Sequence, residues 1–216
     1  ELKGLTTQTV DDRYTIRSRT LTPTQTGLIH SYSHPSGGVD FPASYQVLEM
    51  DEIMPSHHPL LNFRWSPGYP PGIQDRDYSN PNLPYQAKVL EKAAKLDPSR
   101  VISTAKTAVE GPPIVVGNNN IVLSGNSRAL SIMLASAKHK AHYKEYVDYL
   151  INNAMTFGLA PAAIKKLEQP ILVRRVAIPP SQYKIFASLA NESPAMTLDI
   201  IGAMQSVAKY IPDDLV

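Results

Sequence analysis

Apolar and polar positions alternate weakly over Tyr45-Gln46-Val47-Leu48-Glu49-Met50, which predicts a strand. Upstream, residues 1–44 are rich in Thr and Ser and follow neither the helical nor the strand period. Tyr14, Ile16, Leu21, Leu28, Ile29 and Phe41 are scattered, and Ser36-Gly37-Gly38 offers a turn or joint. This stretch reads as an irregular N-terminal arm with room for one or two short strands, and order is expected to begin at Tyr45. From Pro55 to Pro84 proline recurs so often that little regular structure fits, because proline has no N–H to donate. Helical spacing resumes over Gln86–Leu96, with Ala87, Leu90 and Ala94 as the apolar positions.

The middle of the chain is more legible. Pro113-Ile114-Val115-Val116 and Ile121-Val122-Leu123 are short apolar runs separated by Gly117-Asn118-Asn119-Asn120, residues that tolerate positive φ. They predict two neighbouring strands. Ser124-Gly125-Asn126-Ser127 then breaks the strand, and a helix is expected from Arg128 to about Lys138 with Leu130, Met133, Leu134 and Ala137 on one face. A further helix is expected over 141–157, carrying Tyr143, Val147, Leu150, Ile151 and Ala154 and closed by Gly158. Pro161 opens a short helix, and Ile171–Ile178 reads as a strand ended by Pro179-Pro180. Ser181 starts a helix to about Ala190, and Ser193-Pro194 starts a last one carrying Leu198, Ile201 and Ala208. Strands and helices are mixed and a hairpin is expected, so the fold class is α+β.

Composition narrows the function classes. The 216 residues are 43% apolar and 19% charged, which fits a folded domain and not a disordered chain. A net charge of +2 is too small to drive binding to nucleic acid or membrane by itself. With no cysteine, disulfides, thiolate metal sites and cysteine nucleophiles are excluded. No apolar run approaches the roughly 20 residues that span a bilayer, so no membrane partner is expected and a cytoplasmic location is. The chain opens at Glu1, which points to one domain of a larger protein.

The strand-to-helix junction carries the chemistry. The first N–H groups of a helix have no partner inside it and present partial positive charge, a favourable place for a phosphate. Gly125 permits close approach to the backbone. Arg128, a cation in the first helical turn, is set against the helix dipole, and a bound anion would reverse that cost. A solvated arginine is the alternative. Neither the P-loop nor the dinucleotide glycine pattern is present.

Gly111-Pro112-Pro113-Ile114-Val115-Val116 followed by Ile121-Val122-Leu123-Ser124-Gly125-Asn126-Ser127-Arg128-Ala129 resembles the central box of the ParB/sulfiredoxin superfamily. Gln74-Asp75-Arg76 is similar to that family's upstream box, and Leu189-Ala190-Asn191-Glu192 to its downstream Glu-Asn box. Ser56-His57-His58-Pro59, Tyr69-Pro70 and Arg76-Asp77-Tyr78 look more narrowly like the DdrB-like ParB domains of large phage and mobile-element proteins. The family's Glu and first Arg after the box glycine stand here as Asn126 and Ser127, and its downstream Glu-Asn order is reversed.

The resemblance implies a ParB/sulfiredoxin-like domain over 45–216: a small mixed sheet with surrounding helices. It also implies a phosphate site at Gly125, Asn126, Ser127 and Arg128, with Gln74 and Arg76 on the opposite side. The ligand implied is a nucleoside triphosphate, CTP or ATP, with Mg²⁺ held by Asn191 and Glu192. The setting implied is DNA transactions in a bacterial host's cytoplasm, or delivery by a phage. Two enzymatic outcomes stand beside one another: a nucleoside triphosphatase, and a metal-dependent nuclease using Glu192 and His57. An interaction module with a degenerate site is the third reading. Sequence-specific DNA recognition is not expected of this piece, since the family's helix-turn-helix domain would lie beyond Val216.

Simpler roles exist for each residue. Arg76 can pair with Asp75 or Asp77, His57 and His58 can bond to the backbone, and Asn191 and Glu192 can serve a helix end. The basic stretch from Lys138 to Lys184, with Tyr143, Tyr146 and Tyr149, reads as a solvated face over core tyrosines in preference to a single-strand-binding surface.

Overall fold

The computed structural model describes residues 26–32, 41–104 and 110–191. Five strands form one mixed sheet: β1 (Thr26–Tyr32), β2 (Phe41–Glu49), β5 (Ile114–Val116), β6 (Ile121–Ser124) and β7 (Pro170–Val176), in the order β1-β2-β7-β5-β6. Only β5 and β7 run parallel; the other neighbours are antiparallel. A two-stranded ribbon, β3 (His57–His58) with β4 (Arg64–Trp65), lies apart. The helices are α1 (Pro84–Ala94), α2 (Pro98–Val101), α3 (Asn126–Lys138), α4 (Lys140–Asn153), α5 (Pro161–Ile164) and α6 (Tyr183–Asn191). The architecture is the expected α+β mixture.

The expected hairpin is present as β5–β6, with Val115 opposite Val122 and Val116 opposite Ile121. Its runs are continuously apolar because the sheet is covered on both faces. Val115 and Val122 point into a core shared with β2, β7, α3 and α4. Ile114, Val116, Ile121 and Leu123 point into a second core closed by α6. α3 begins at Asn126 after Gly125 and is buried almost all round. An apolar stripe on one face therefore understates it; it is a central helix, flanked by α1 and α4.

Two details differ from the expectation, and one expected element lies outside the described residues. β2 begins at Phe41 and β1 pairs along it, so the division placed at residue 45 falls inside the sheet; residues 1–25 and 33–40 lie outside the described residues. The buried positions of α1 are Val89 and Ala93, whereas Leu90 is 43% exposed. The helix is thus turned relative to the expected Ala87–Leu90–Ala94 stripe, because the small Ala93 lets it close against α3. The helix expected from Ser193 lies outside the described residues.

The proline-rich stretch is ordered by ties to the sheet. Met54 donates its N–H to the Asn120 carbonyl (3.0 Å) and accepts from the Val122 N–H (2.9 Å), extending the sheet beyond β6. The Tyr69 hydroxyl donates to the Val122 carbonyl at 2.8 Å.

Candidate functional site

β6 ends at Ser124, and the chain turns into α3 through Gly125 at φ 81°. That left-handed conformation suits glycine. A Cβ built there would lie 2.7 Å from Nη2 and 3.0 Å from Nε of Arg128, so the guanidinium folds back over Gly125. Arg128 is itself buried, at 8% exposure. The Gly125 carbonyl takes the N–H of Arg128 (2.9 Å) and of Ala129 (3.0 Å), closing the first turn.

Asn126, at 3% exposure, is a fastener. Its Oδ1 accepts from the Ser56 N–H at 2.8 Å. Its Nδ2 donates to Gln74 Oε1 (3.0 Å) and the Val122 carbonyl (3.0 Å), with the Tyr69 hydroxyl at 3.3 Å. An amide has two such hydrogens, so both are committed. One side chain thereby ties both ends of the 56–74 loop to the helix start. Gln74 in turn donates from Nε2 to the Arg76 carbonyl at 3.3 Å. Gln74 thus sets the chain leading to Arg76, whose side chain is exposed.

Around Ser127 the cations converge. Lys92 on α1 donates to Ser127 Oγ at 3.2 Å. Its ammonium titrates below the usual lysine value, first through partial burial and then through the fields of Arg128, Arg76, Arg100 and Lys88. Tyr78, 1% exposed, stands beside them, and its phenol is pushed up by burial while Arg76, Ser127 and Arg128 pull the other way. Three carboxylates near in sequence already have partners, one of them Arg100 itself. Asp77 accepts from the Ser79 N–H (2.9 Å) and hydroxyl (2.6 Å), Glu91 reaches Lys95 at 3.5 Å, and Glu110 stands 3.8 Å from Arg100.

His57 is 1% exposed. Its Nδ1 lies 2.9 Å from Ser56 Oγ, its Nε2 lies 3.7 Å from Asp77, and its ring meets Trp65 and Tyr78 edge to face. Burial depresses its titration, against the opposing pull of Asp77. The Ser56–His57–Asp77 order resembles a nucleophile relay, but Ser56 has no exposed surface at which to meet a substrate. His58 is likewise depressed by burial. Asn191 ends α6, and Glu192 lies outside the described residues, as does the Asn191 side chain. Among the described residues no group of three or more His, Asp or Glu could hold a metal.

The structure thus brings Gly125, Ser127, Arg128 and Arg76 to one end of α3, with Gln74 and Asn126 as the scaffold beneath. Lys92 and Tyr78 join them; sequence reasoning passed over Lys92 and quoted Tyr78 only within the Arg76-Asp77-Tyr78 resemblance, with no role in the site. Turning α1 so that Val89 and Ala93 face α3 carries Lys92 to the rim of that contact; the misphased stripe concealed it.

Two other features stand apart from this cluster. A cavity of about 660 Å³ lies among the 68–73 loop, the Gly117–Ile121 turn and Tyr183–Lys184. The basic stretch from Lys138 is built around core tyrosines: Tyr143 donates to the Pro170 carbonyl (3.0 Å), and Tyr146 accepts from the Leu172 N–H (2.9 Å). Both rings are buried, so they cannot stack on bases. No helix among the described residues is long and apolar enough to cross a membrane.

Compared with known families, the chain matches the family model described as the ddrB-like ParB superfamily domain over residues 36–177, more than half its length. The match covers both the strand-to-helix junction and the loop that Asn126 ties down. No curated protein and no solved structure matches at a significant level.

Proposed function

The chain belongs to the ddrB-like ParB superfamily domain family, and from that premise we propose that it binds the phosphates of a nucleoside triphosphate, CTP or ATP, at the start of α3. The observation that carries this reading is the gathering of Arg76, Lys92 and Arg128, with Arg100 and Lys88 behind them, at the positive end of a 13-residue helix. Like charges crowded together destabilise one another, and a polyanion removes that repulsion while filling their donor capacity. Arg76 and Arg128 neutralise charge, Ser127 and the first-turn N–H groups supply neutral donors, and Gly125 leaves the space in which the Arg128 guanidinium lies over the helix start.

Mg²⁺ would accompany the triphosphate, with Asn191 and Glu192 as its protein-side contacts. Hydrolysis of the nucleotide is a further step that this arrangement permits. The domain serves DNA transactions of a phage or mobile element, as part of a larger multidomain protein working in the bacterial host's cytoplasm. A nuclease reading is the less favoured, because His57, its candidate among the described residues, is buried at 1% exposure and does not meet solvent.

Thermal unfolding with ATP, CTP or inorganic tripolyphosphate, each with and without Mg²⁺, tests this. Ligand at about 100 times its dissociation constant should add about 2.7 kcal/mol of stability. An unmoved unfolding midpoint with all three ligands at millimolar concentration would refute phosphate binding, and metal-dependent cutting of DNA would favour the nuclease.

A further inference from the structure

We infer that the Tyr78 hydroxyl is a hydrogen-bond donor to the phosphate bound at the start of α3, which makes Tyr78 a ligand-binding residue of that site. The inference rests on the phosphate-site reading above and assigns it a residue outside the glycine turn and the arginines.

The first observation is an unsatisfied group. Tyr78 is 1% exposed, and its hydroxyl makes no hydrogen bond of good geometry, although Arg76 and Ser127 lie close enough to pull on it. Buried hydroxyls are almost always paired, and an exception calls for a reason. The surroundings supply one. Arg76, Ser127 and Arg128 are the polar groups whose influence reaches this phenol. Arginine can only donate, so neither guanidinium can take the phenol proton. Ser127 Oγ accepts from Lys92 and has one lone pair left, but it makes no hydrogen bond of good geometry with the phenol. The proton is therefore poorly matched by the chain's own acceptors. The oxygens of a phosphate among Arg76, Lys92, Ser127 and Arg128 would accept from these donors, and one of them would reach Tyr78 as the exposed Arg76 side chain swings from the occluded phenol onto the anion.

The second observation is that the ring is held firmly. Phe63, Val89 and Leu130 pack with it, His57 meets it edge to face at 5.2 Å, and Tyr85 stands at 6.1 Å. Phe63 reaches that place through a tight turn in which Asn62 and Phe63 have φ of 52° and 55°, closed by the Arg64 N–H on the Leu61 carbonyl at 3.0 Å. Positive φ is unfavourable for a bulky residue and persists where the surroundings impose it. Burial keeps the phenol protonated at neutral pH, so it remains a donor throughout the physiological range.

The test compares wild type with Tyr78→Phe, which removes one oxygen and keeps the ring. Calorimetric titration with inorganic tripolyphosphate and with ATP should show about ten-fold weaker binding in the variant, the effect of losing a hydrogen bond to a charged group. The unfolding midpoint of the ligand-free variant should be level or higher, since no hydrogen bond is lost. Equal affinity in the two proteins overturns the inference, and so does a lower midpoint without ligand, which marks a structural hydroxyl. If wild type binds and Arg76→Ala does not, while Tyr78→Phe binds normally, the phosphate site stands and the Tyr78 role falls. If wild type binds neither ligand, both fall. Should the Phe variant not fold, 3-fluorotyrosine placed at position 78 gives a more acidic, stronger donor; it should tighten binding, and unchanged or weaker binding contradicts the inference.

Discussion

Two groups of basic residues in this domain look alike in the sequence and behave oppositely in the fold. Arg174 and Arg175 on β7 lie inside a network of acceptors. Arg174, 3% exposed, donates to the Tyr45 hydroxyl at 3.0 Å and lies over that ring at 5.3 Å. Arg175 donates to Gln46 Oε1 (2.7 Å), to the Gly117 carbonyl (2.7 Å) and to Asn120 Oδ1. At the start of α3, by contrast, Arg76, Lys92 and Arg128 are set among one another's fields. Arg174 and Arg175 donate to neutral acceptors of their own chain and are part of the scaffold. Arg76, Lys92 and Arg128 lie in one another's fields, the setting in which the proposed anion would relieve repulsion.

The largest expected effect is on the scaffold side. Arg175→Ala removes the donor to Asn120 Oδ1 and to Gln46 Oε1 and the shorter of two donors to the Gly117 carbonyl, and should cost about 2–3 kcal/mol. Urea unfolding should show this with unchanged tripolyphosphate affinity; a loss of affinity without a loss of stability would erase the distinction between the groups. Asn126→Ala should follow, at about 2 kcal/mol, because the Ser56 N–H loses its acceptor in a buried place. Proteolysis should then cut the 56–74 loop faster than in wild type, and an unchanged cutting rate would show that the loop is held by other contacts.

Gly125→Ala should cost roughly 1–2 kcal/mol for a side chain at positive φ and push the Arg128 guanidinium aside. Both stability and phosphate affinity should therefore fall, the one substitution expected to touch both properties. An effect on stability alone would separate Arg128 from the ligand.

The smallest effect is that of pH. His57 and His58 both titrate below 6.5 in the fold, through burial, with Asp77 pulling His57 partly back. The unfolded chain takes up these protons near pH 6.5 and the folded chain only at lower pH. Stability should therefore be full above pH 6.5 and decline as the pH falls below it. A stability that rises between pH 7 and 5.5 would reverse the assigned direction.

The junction was legible in the sequence because its determinants are local. Two apolar runs, a Gly-Asn turn and a helix start lie within residues 113–138, and burial on both faces left the runs unbroken. The proline-rich loop was not, because its order comes from single long-range bonds, Ser56 to Asn126 and Tyr69 to Val122, which leave no periodic trace. β2 was begun too late for a related reason. Pro42 breaks the expected strand pattern, yet it pairs with Ser31 of β1 at a point where β7 no longer faces β2. For the site, Gly125 and Arg128 were read from the strand-to-helix junction, Ser127 and Arg76 with the help of the motif resemblance, and the four do converge. Asn126 carried the right position and a different use: both amide hydrogens and Oδ1 are committed to the chain's own groups. Lys92 and Tyr78 come from elements whose facing was set by tertiary packing, and no spacing rule reached them.

The most direct test of the distinction is the affinity for inorganic tripolyphosphate of Arg76→Ala, read beside its unfolding midpoint. Arg76 is exposed, so its removal opens no cavity. The phosphate-site account predicts ten-fold or greater loss of affinity, for an interaction worth about 1.5–3 kcal/mol, with the midpoint level or slightly raised as repulsion around Lys92 is relieved. Full affinity, together with a lowered midpoint, would contradict it and make Arg76 one more scaffold arginine.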